Sequence, residues 1–263
     1  VLHIHQISYG WEGLVVPYLI SVLGSYLGLQ CAVRARTTER PRTWTAAAAL
    51  AIGGGGVWTT HFVAMLGFAI DGTSIRYDVP ITLLTAIAAV AVVWVALLIV
   101  QADDAAWRLP AAGLLTGSGV TAMHYFGMYA MNTDAQIRYS WPLVGLSVII
   151  AMIAATAALW FTLNVRGVPA ALGAALIMGV AVCGMHYTGM YAISAQHLAD
   201  ARNPSGADAL DLLAPLMQCA SAVTLVLLIY VGLTDADELR RTHRSEPSAK
   251  TPDSHPGGSD AIF

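Results

Sequence analysis

Three histidines stand 63 and 62 residues apart in the most apolar stretches of the chain: His61, His124 and His186. Each is followed four residues later by a methionine, at Met65, Met128 and Met190, and two are directly preceded by one, at Met123 and Met185. On a helix, positions i and i+4 share a face, so each imidazole would stand beside a thioether. The preceding methionine would be turned about 100° away. Imidazole and thioether together form a soft donor set that suits copper, Cu(I) above all, better than magnesium or calcium. Haem iron also takes His and Met as axial ligands, whereas thioether is a poor zinc ligand. A single intramembrane histidine is as readily explained by a hydrogen bond to a neighbouring helix, a contribution averaging about 0.6 kcal/mol, as by a functional role. Three in register, each with methionine at the same offset, point to a shared site.

Lesser candidates surround this set. Tyr125 and Tyr187 follow two of the histidines and could orient the rings or simply pack. Cys183 lies three residues before His186, but the other copies have no matching cysteine, so a buried small side chain is the expectation. His3, His5 and His197 are expected outside the apolar spans, as solvated surface or as a place where metal is first captured. Glu12 is expected to face water, and His243 and His255 to belong to a polar tail.

The match around the histidines extends further. Glycine lies seven residues before each one, at Gly54, Gly117 and Gly179, and an aromatic residue follows each, at Phe62, Tyr125 and Tyr187. SIRYDVP at 74–80 is repeated as QIRYSWP at 136–142. The repeating unit is therefore a histidine-bearing helix, an outer loop and a return helix. A unit with two crossings ends on the side where it began, so successive copies are parallel. Packed about an axis along the membrane normal, they would bring the three imidazoles to one depth. With each histidine roughly 8–10 residues before its loop, that depth is about 12–15 Å below the outer helix ends. Glycines such as GGGG at 53–56 remove bulk where backbones must approach closely.

The elements that must position these residues are membrane helices. Hydrophobic residues make up 57% of the chain and charged residues 11%, where soluble domains carry about 25% charge. Seven apolar spans are expected, at roughly 10–32, 44–70, 80–101, 109–131, 141–162, 168–194 and 211–233, each near the ~20 residues that cross a bilayer. The fold class is all-α integral membrane: three parallel two-helix repeats with pseudo-threefold symmetry, plus one extra N-terminal helix. The domain covers residues 1–233, and 234–263 reads as a disordered cytoplasmic tail. With the N-terminus outside, ten basic residues fall in inner segments (Arg34, Arg36, Arg40, Arg42, Arg108, Arg166, Arg240, Arg241, Arg244, Lys250) and three in outer ones (Arg76, Arg138, Arg202). That bias predicts a multi-pass protein of the inner (plasma) membrane with a cytoplasmic C-terminus.

A net charge of −3 gives no reason to expect nucleic-acid binding. Three cysteines without paired spacing form no zinc motif or disulfide framework. No nucleophile elbow, phosphate loop or dinucleotide fingerprint occurs, so enzymatic activity is not expected. Acidic residues are nearly absent from the spans, which disfavours a carboxylate proton relay.

MHYFGM at 123–128 and MHYTGM at 185–190 resemble the MHYT domain, a bacterial integral membrane sensor. The resemblance covers about residues 10–233. The first copy, THFVAM at 60–65, departs: Thr60 stands for Met, Phe62 for Tyr and Ala64 for Gly. The resemblance implies copper bound through His61, Met65, Met123, His124, Met128, Met185, His186 and Met190, and sensing of a diatomic gas such as oxygen, carbon monoxide or nitric oxide. Many relatives carry an output module after the last helix. None is read here, so a separate cytoplasmic output protein is expected as partner, with membrane lipids around the helices. Two alternatives stay open: a copper or small-solute transporter or channel, and a haem-binding membrane subunit.

Overall fold

The computed structural model describes residues 2–103, 105–197 and 204–245, with the side chains of 197 and 235–245 left aside. Among them are α1 (Glu12–Ala35), α4 (Val79–Gln101), α5 (Arg108–Tyr129), α6 (Trp141–Asn164), α7 (Val168–Tyr191) and α8 (Ala209–Ser245). One further continuous helical segment, 41–65, is built from α2 (Pro41–Ala49), a π-helical stretch (Leu50–Thr59) and α3 (Thr60–Met65). The widened turns fall on the four glycines, and the Thr59 hydroxyl donates to the Gly54 carbonyl at 2.9 Å. Among the described residues, five helices are long and apolar enough to cross a membrane: α1, α4, α6, α7 and the Ala209–Thr234 part of α8. The 41–65 segment and α5 carry His61 and His124 among many glycines and threonines.

Local signals set the helix starts. Asp78 caps α4 by accepting the Ile81 N–H at 2.9 Å. Prolines occupy the first turns of α2, α4, α6 and α7, where a missing N–H costs nothing.

Six segments close a ring in the order 41–65, α4, α5, α6, α7, α1, and α1 packs back on 41–65. Histidine-bearing and return helices alternate around it. The expectation of an extra N-terminal helix is corrected by this packing: α1 takes the third return position, and α8 lies outside, touching 41–65 and α1 only lightly. The glycines seven before each histidine make the equivalence concrete. A Cβ on Gly54 would meet Val90 of α4 at 3.5 Å, one on Gly117 would meet Met152 of α6 at 2.6 Å, and one on Gly179 would meet Val22 of α1 at 2.7 Å. The physical reason lies in α1 itself. Ser21, Gly24, Ser25 and Gly28 are buried on one face, which lets its backbone approach Gly56 and Ala51. Ser21 donates to the Gly56 carbonyl at 2.9 Å. Hydropathy identifies α1 as a span but says nothing of its neighbours.

The loops beyond the histidines fold into short antiparallel pairs. After 41–65 come β2 (Ala69–Ile70) and β3 (Ile75–Tyr77), after α5 come β4 (Met131–Thr133) and β5 (Ala135–Tyr139), and after α7 come β6 (Ile193–His197) and β7 (Ala207–Asp208). β3 pairs β4 with Tyr77 opposite Met131, and β5 pairs β6 with Tyr139 opposite Ile193. These registers are equivalent in the repeat. The third pairing is made by β1 (Ile4–His5), which lies on β2 with Ile4 opposite Ile70, while β7 turns to β3. The N-terminal segment thus stands in for the third copy's strand as well as its helix. Leu2 bridges to Ala195, and Gln6 donates to the Met190 carbonyl at 3.0 Å, so the segment reaches across the capped end.

Two expectations about boundaries change. The helices end four to five residues after each histidine, at Met65, Tyr129 and Tyr191, so the histidines lie only about 6–8 Å from those ends at 1.5 Å per residue. The strands, rather than further helix, supply the remaining cover. Helix also continues past 234 to Ser245. Residues 246–263 of the expected tail, His255 included, lie outside the described residues.

Candidate metal centre

The three histidines meet at the centre of the ring beneath the strand cap. His61, His124 and His186 are 2%, 0% and 3% exposed, so no ring faces lipid. His61 Nδ1 lies 3.0 Å from His186 Nδ1 and 3.2 Å from His124 Nδ1. Ring centroids are 4.9, 5.0 and 5.2 Å apart, with the planes 73–88° from one another. The rings therefore form a propeller whose donor atoms converge on one point. Three nitrogens on a metal with ~2.0–2.1 Å bonds are separated by ~3.3–3.5 Å, so a slight opening of the propeller admits an ion. Without a cation, at most one shared proton relieves the three facing lone pairs.

The opposite ring edges explain a motif residue that sequence reasoning left unassigned. His61 Nε2 and His124 Nε2 are buried without a hydrogen-bond partner. His61 Nε2 rests against Gly127, where a Cβ would sit 2.5 Å away, and His124 rests likewise against Gly189, with its Cδ2 at 3.0 Å. The glycine three residues after each of two histidines thus seats the ring of the preceding copy. The signal was its repetition in MHYFGM and MHYTGM. In the first copy the position is Ala64, also buried.

Met65, Met123, Met128, Met185 and Met190 are all buried and share one core cluster with Val57, Val120 and Phe62. The five thioethers are thus interior groups on the histidine-bearing helices. Cys183 is half-buried and free, and the buried trio of candidate ligands does not include it. Glu12 opens α1. His197 belongs to β6 by its backbone, opposite Ala135.

The two tyrosines do not bond the imidazoles. Tyr125 stands edge-on to His124 at 4.8 Å and Tyr187 to His186 at 4.9 Å, but their hydroxyls reach return helices. Ser147 gives its proton to the Val144 carbonyl at 2.8 Å, so Tyr125 donates to Ser147, at 2.7 Å. Tyr187 donates to the Gly13 carbonyl of α1 at 2.5 Å. That carbonyl needs a donor because Pro17, four residues on, has no N–H. Tyr187→Phe is therefore expected to lower stability by about 1 kcal/mol or more. The loss should shrink in a Pro17→Ala background, where the helix supplies its own donor. Thermal melting of the two single variants and the double variant in detergent checks this, and equal losses in both backgrounds would contradict the assignment.

Comparison with known proteins places the sequence among signalling repeats. The sequence pattern of the MHYT family, described as a bacterial signalling protein N-terminal repeat, matches residues 54–113 and 117–175. The chain is 39% identical over 193 residues to the bifunctional diguanylate cyclase/cyclic di-GMP phosphodiesterase MucR of Pseudomonas aeruginosa, covering 70% of this chain and 28% of that protein. It is 36% identical over 195 residues to the cyclic di-GMP phosphodiesterase NbdA of the same organism, covering 71% and 24%. With the signaling protein YkoW of Bacillus subtilis it shares 30% identity over 202 residues, covering 73% and 25%. The aligned part is thus about a quarter of each relative's own length. No solved structure matches.

Proposed function

The chain belongs to the MHYT family of bacterial signalling-protein repeats, and on that premise we propose that it is a membrane sensor holding one copper ion on His61, His124 and His186. The observation that carries this reading is the convergence of three buried Nδ1 atoms, 3.0 and 3.2 Å apart for the two closest pairs. Met65, Met123, Met128, Met185 and Met190 supply the soft surroundings that favour Cu(I). In this reading all seven helical segments cross the bilayer, with the strand cap outside and the end of α8 in the cytoplasm. The basic residues favour that orientation.

Bound copper would offer an open coordination position to a small ligand. The protein's part is to shape the space beside it. A cavity of about 50 Å³ lies on the inner side of the histidines, lined by Val57, Val120, Val182, Thr116, Ala151 and Met185 among others. The three valines each precede a histidine by four residues. Its lining is apolar apart from Ser25 and Thr116, and it has room for a diatomic molecule such as oxygen, carbon monoxide or nitric oxide. This floor offers the thioethers of Met178 and Met185 and the hydroxyls of Ser25 and Thr116 but no imidazole or carboxylate, so it lacks a continued run of strong ligands inward, and sensing is favoured over transport. The names of the relatives connect this domain with cyclic di-GMP turnover, and an enzyme of that class is the proposed recipient of the signal.

Elemental analysis and an absorption spectrum of purified protein test the reading. About one copper per chain and no Soret band is the expected result. A Soret band would replace copper with haem, and metal-free protein from copper-replete cells would reject the site. Met128→Leu with Met190→Leu nearly conserves volume, so stability should fall by less than about 1.5 kcal/mol. Cu(I) affinity should fall about 10–100-fold, the range in which groups around a metal's main donors act. A competition titration with a Cu(I) chelator reads this, and unchanged affinity removes the thioethers from the site.

A further inference from the structure

We infer that the capped end carries a second, surface metal site formed by His3, His5 and Asp71, which takes a divalent ion of the Zn2+ or Cu2+ class and clamps the N-terminal segment onto β2.

The site follows from strand register. Residues i and i+2 of a strand point to the same side, so His3 and His5 share a face. The pairing of Ile4 with Ile70 and His5 with Ala69 continues to set His3 opposite Asp71. The Asp71 N–H donates to the His3 carbonyl at 3.0 Å. Directly opposed residues project on the same side, so two imidazoles and one carboxylate are gathered there. Gly72, with φ +74°, turns the chain immediately afterwards and holds Asp71 at the end of the pair.

The contacts agree. His5 Nε2 is 3.1 Å from Asp71 Oδ1, and the His3 and His5 rings lie 4.8 Å apart between centroids. One donor atom from each residue lies within 4.8 Å of the others, and all three residues are exposed. Their side chains are therefore free to close on an ion. Two histidines and a carboxylate with open positions are a ligand set for a borderline divalent metal. The buried trio, by contrast, is enclosed and has thioethers on the same helices but no carboxylate, so the two sites are chemically distinct. The inference does not rest on copper at the buried histidines.

The placement suggests what binding does. The same segment bridges Leu2 to Ala195 and Gln6 to the Met190 carbonyl. It therefore spans from the end of the first histidine-bearing helix to the end of the third. An ion shared by His3, His5 and Asp71 would fasten this strap at the β2 side.

The test uses untagged full-length protein in detergent, titrated with Zn2+. The comparison is a His3→Ala/His5→Ala variant and, separately, Asp71→Asn. Wild type is expected to bind one Zn2+ more than the double variant, and Asp71→Asn to bind it about tenfold or more weakly. Zn2+ should slow amide hydrogen exchange of residues 2–6 in wild type only. Circular dichroism, together with the metal content of the buried site, shows whether the variants remain folded, and both are expected to be unchanged because all three positions are exposed. Equal Zn2+ stoichiometry and affinity in wild type and variants would overturn the site. Zn2+ binding lost in the variants, but without any change in exchange at 2–6, would overturn the clamp.

Discussion

Protein carrying His124→Ala and His186→Ala is expected to retain almost no metal, where wild type retains about one equivalent. The argument is geometric. His61 Nδ1 is the hub of the trio, 3.0 Å from one partner and 3.2 Å from the other. Removing both partners leaves a single imidazole, which cannot chelate. Much of the binding free energy of a preformed site comes from several ligands already held in place. The effect on folding is smaller and has two opposing parts. Truncating two buried rings leaves cavities, but it also removes polar atoms that lack partners, such as His124 Nε2. Metal content should therefore collapse while the helical signal persists. Tyr125→Phe is the control, since its hydroxyl serves Ser147 and not the rings; it should leave metal content unchanged. Elemental analysis of the three proteins purified alongside one another decides the matter. Equal metal in wild type and the double histidine variant would falsify the centre.

Gly127→Val is expected to damage the same site without touching a ligand. A Cβ at Gly127 would stand 2.5 Å from His61 Nε2 and 3.4 Å from the Phe62 ring. His61 is fully enclosed, so the ring has nowhere to retreat, and overpacking of this kind costs about 1–3 kcal/mol. Displacing the hub ring also separates the converging nitrogens, so bound metal should fall together with stability. Gly184→Ala and Gly173→Ala are the contrast. Nothing lies within 4 Å of a Cβ at either position, and alanine is the better helix former by about 1 kcal/mol. Thermal unfolding with metal analysis separates the two kinds of glycine. If Gly127→Val binds metal as wild type does, the seat assigned to this glycine is wrong.

The reading of the chain as apolar helices held because length and hydropathy are local properties. The spans at 80–101 and 141–162 lie within two residues of α4 and α6. The histidine cluster was legible for a different reason: three copies of one pattern at near-equal spacing require equivalent places in any symmetric packing. Other features were hidden because they depend on partners distant in the chain. Nothing around residue 13 shows that the Gly13 carbonyl is met by Tyr187, 174 residues away. IRY at 75–77 and 137–139 reads as a repeated loop until its strand partners are known. Asp71 draws no notice until register places it beside His3 and His5.

What the amino-acid order determined alone is the chemistry and its multiplicity: apolar helices, three imidazoles at equivalent places in a repeat, and thioethers on the same helices. Only the tertiary structure decided which helices surround them. α1 closes the ring, α8 stands outside it, and β1 supplies the missing strand of the cap. The reason is that periodicity reports which face of a helix is buried, whereas the choice of neighbour depends on how closely two backbones can approach. Here that choice fell to Gly24 and Gly28 of α1, whose lack of side chains brings it against Gly56 and Ile52 of the first histidine-bearing helix.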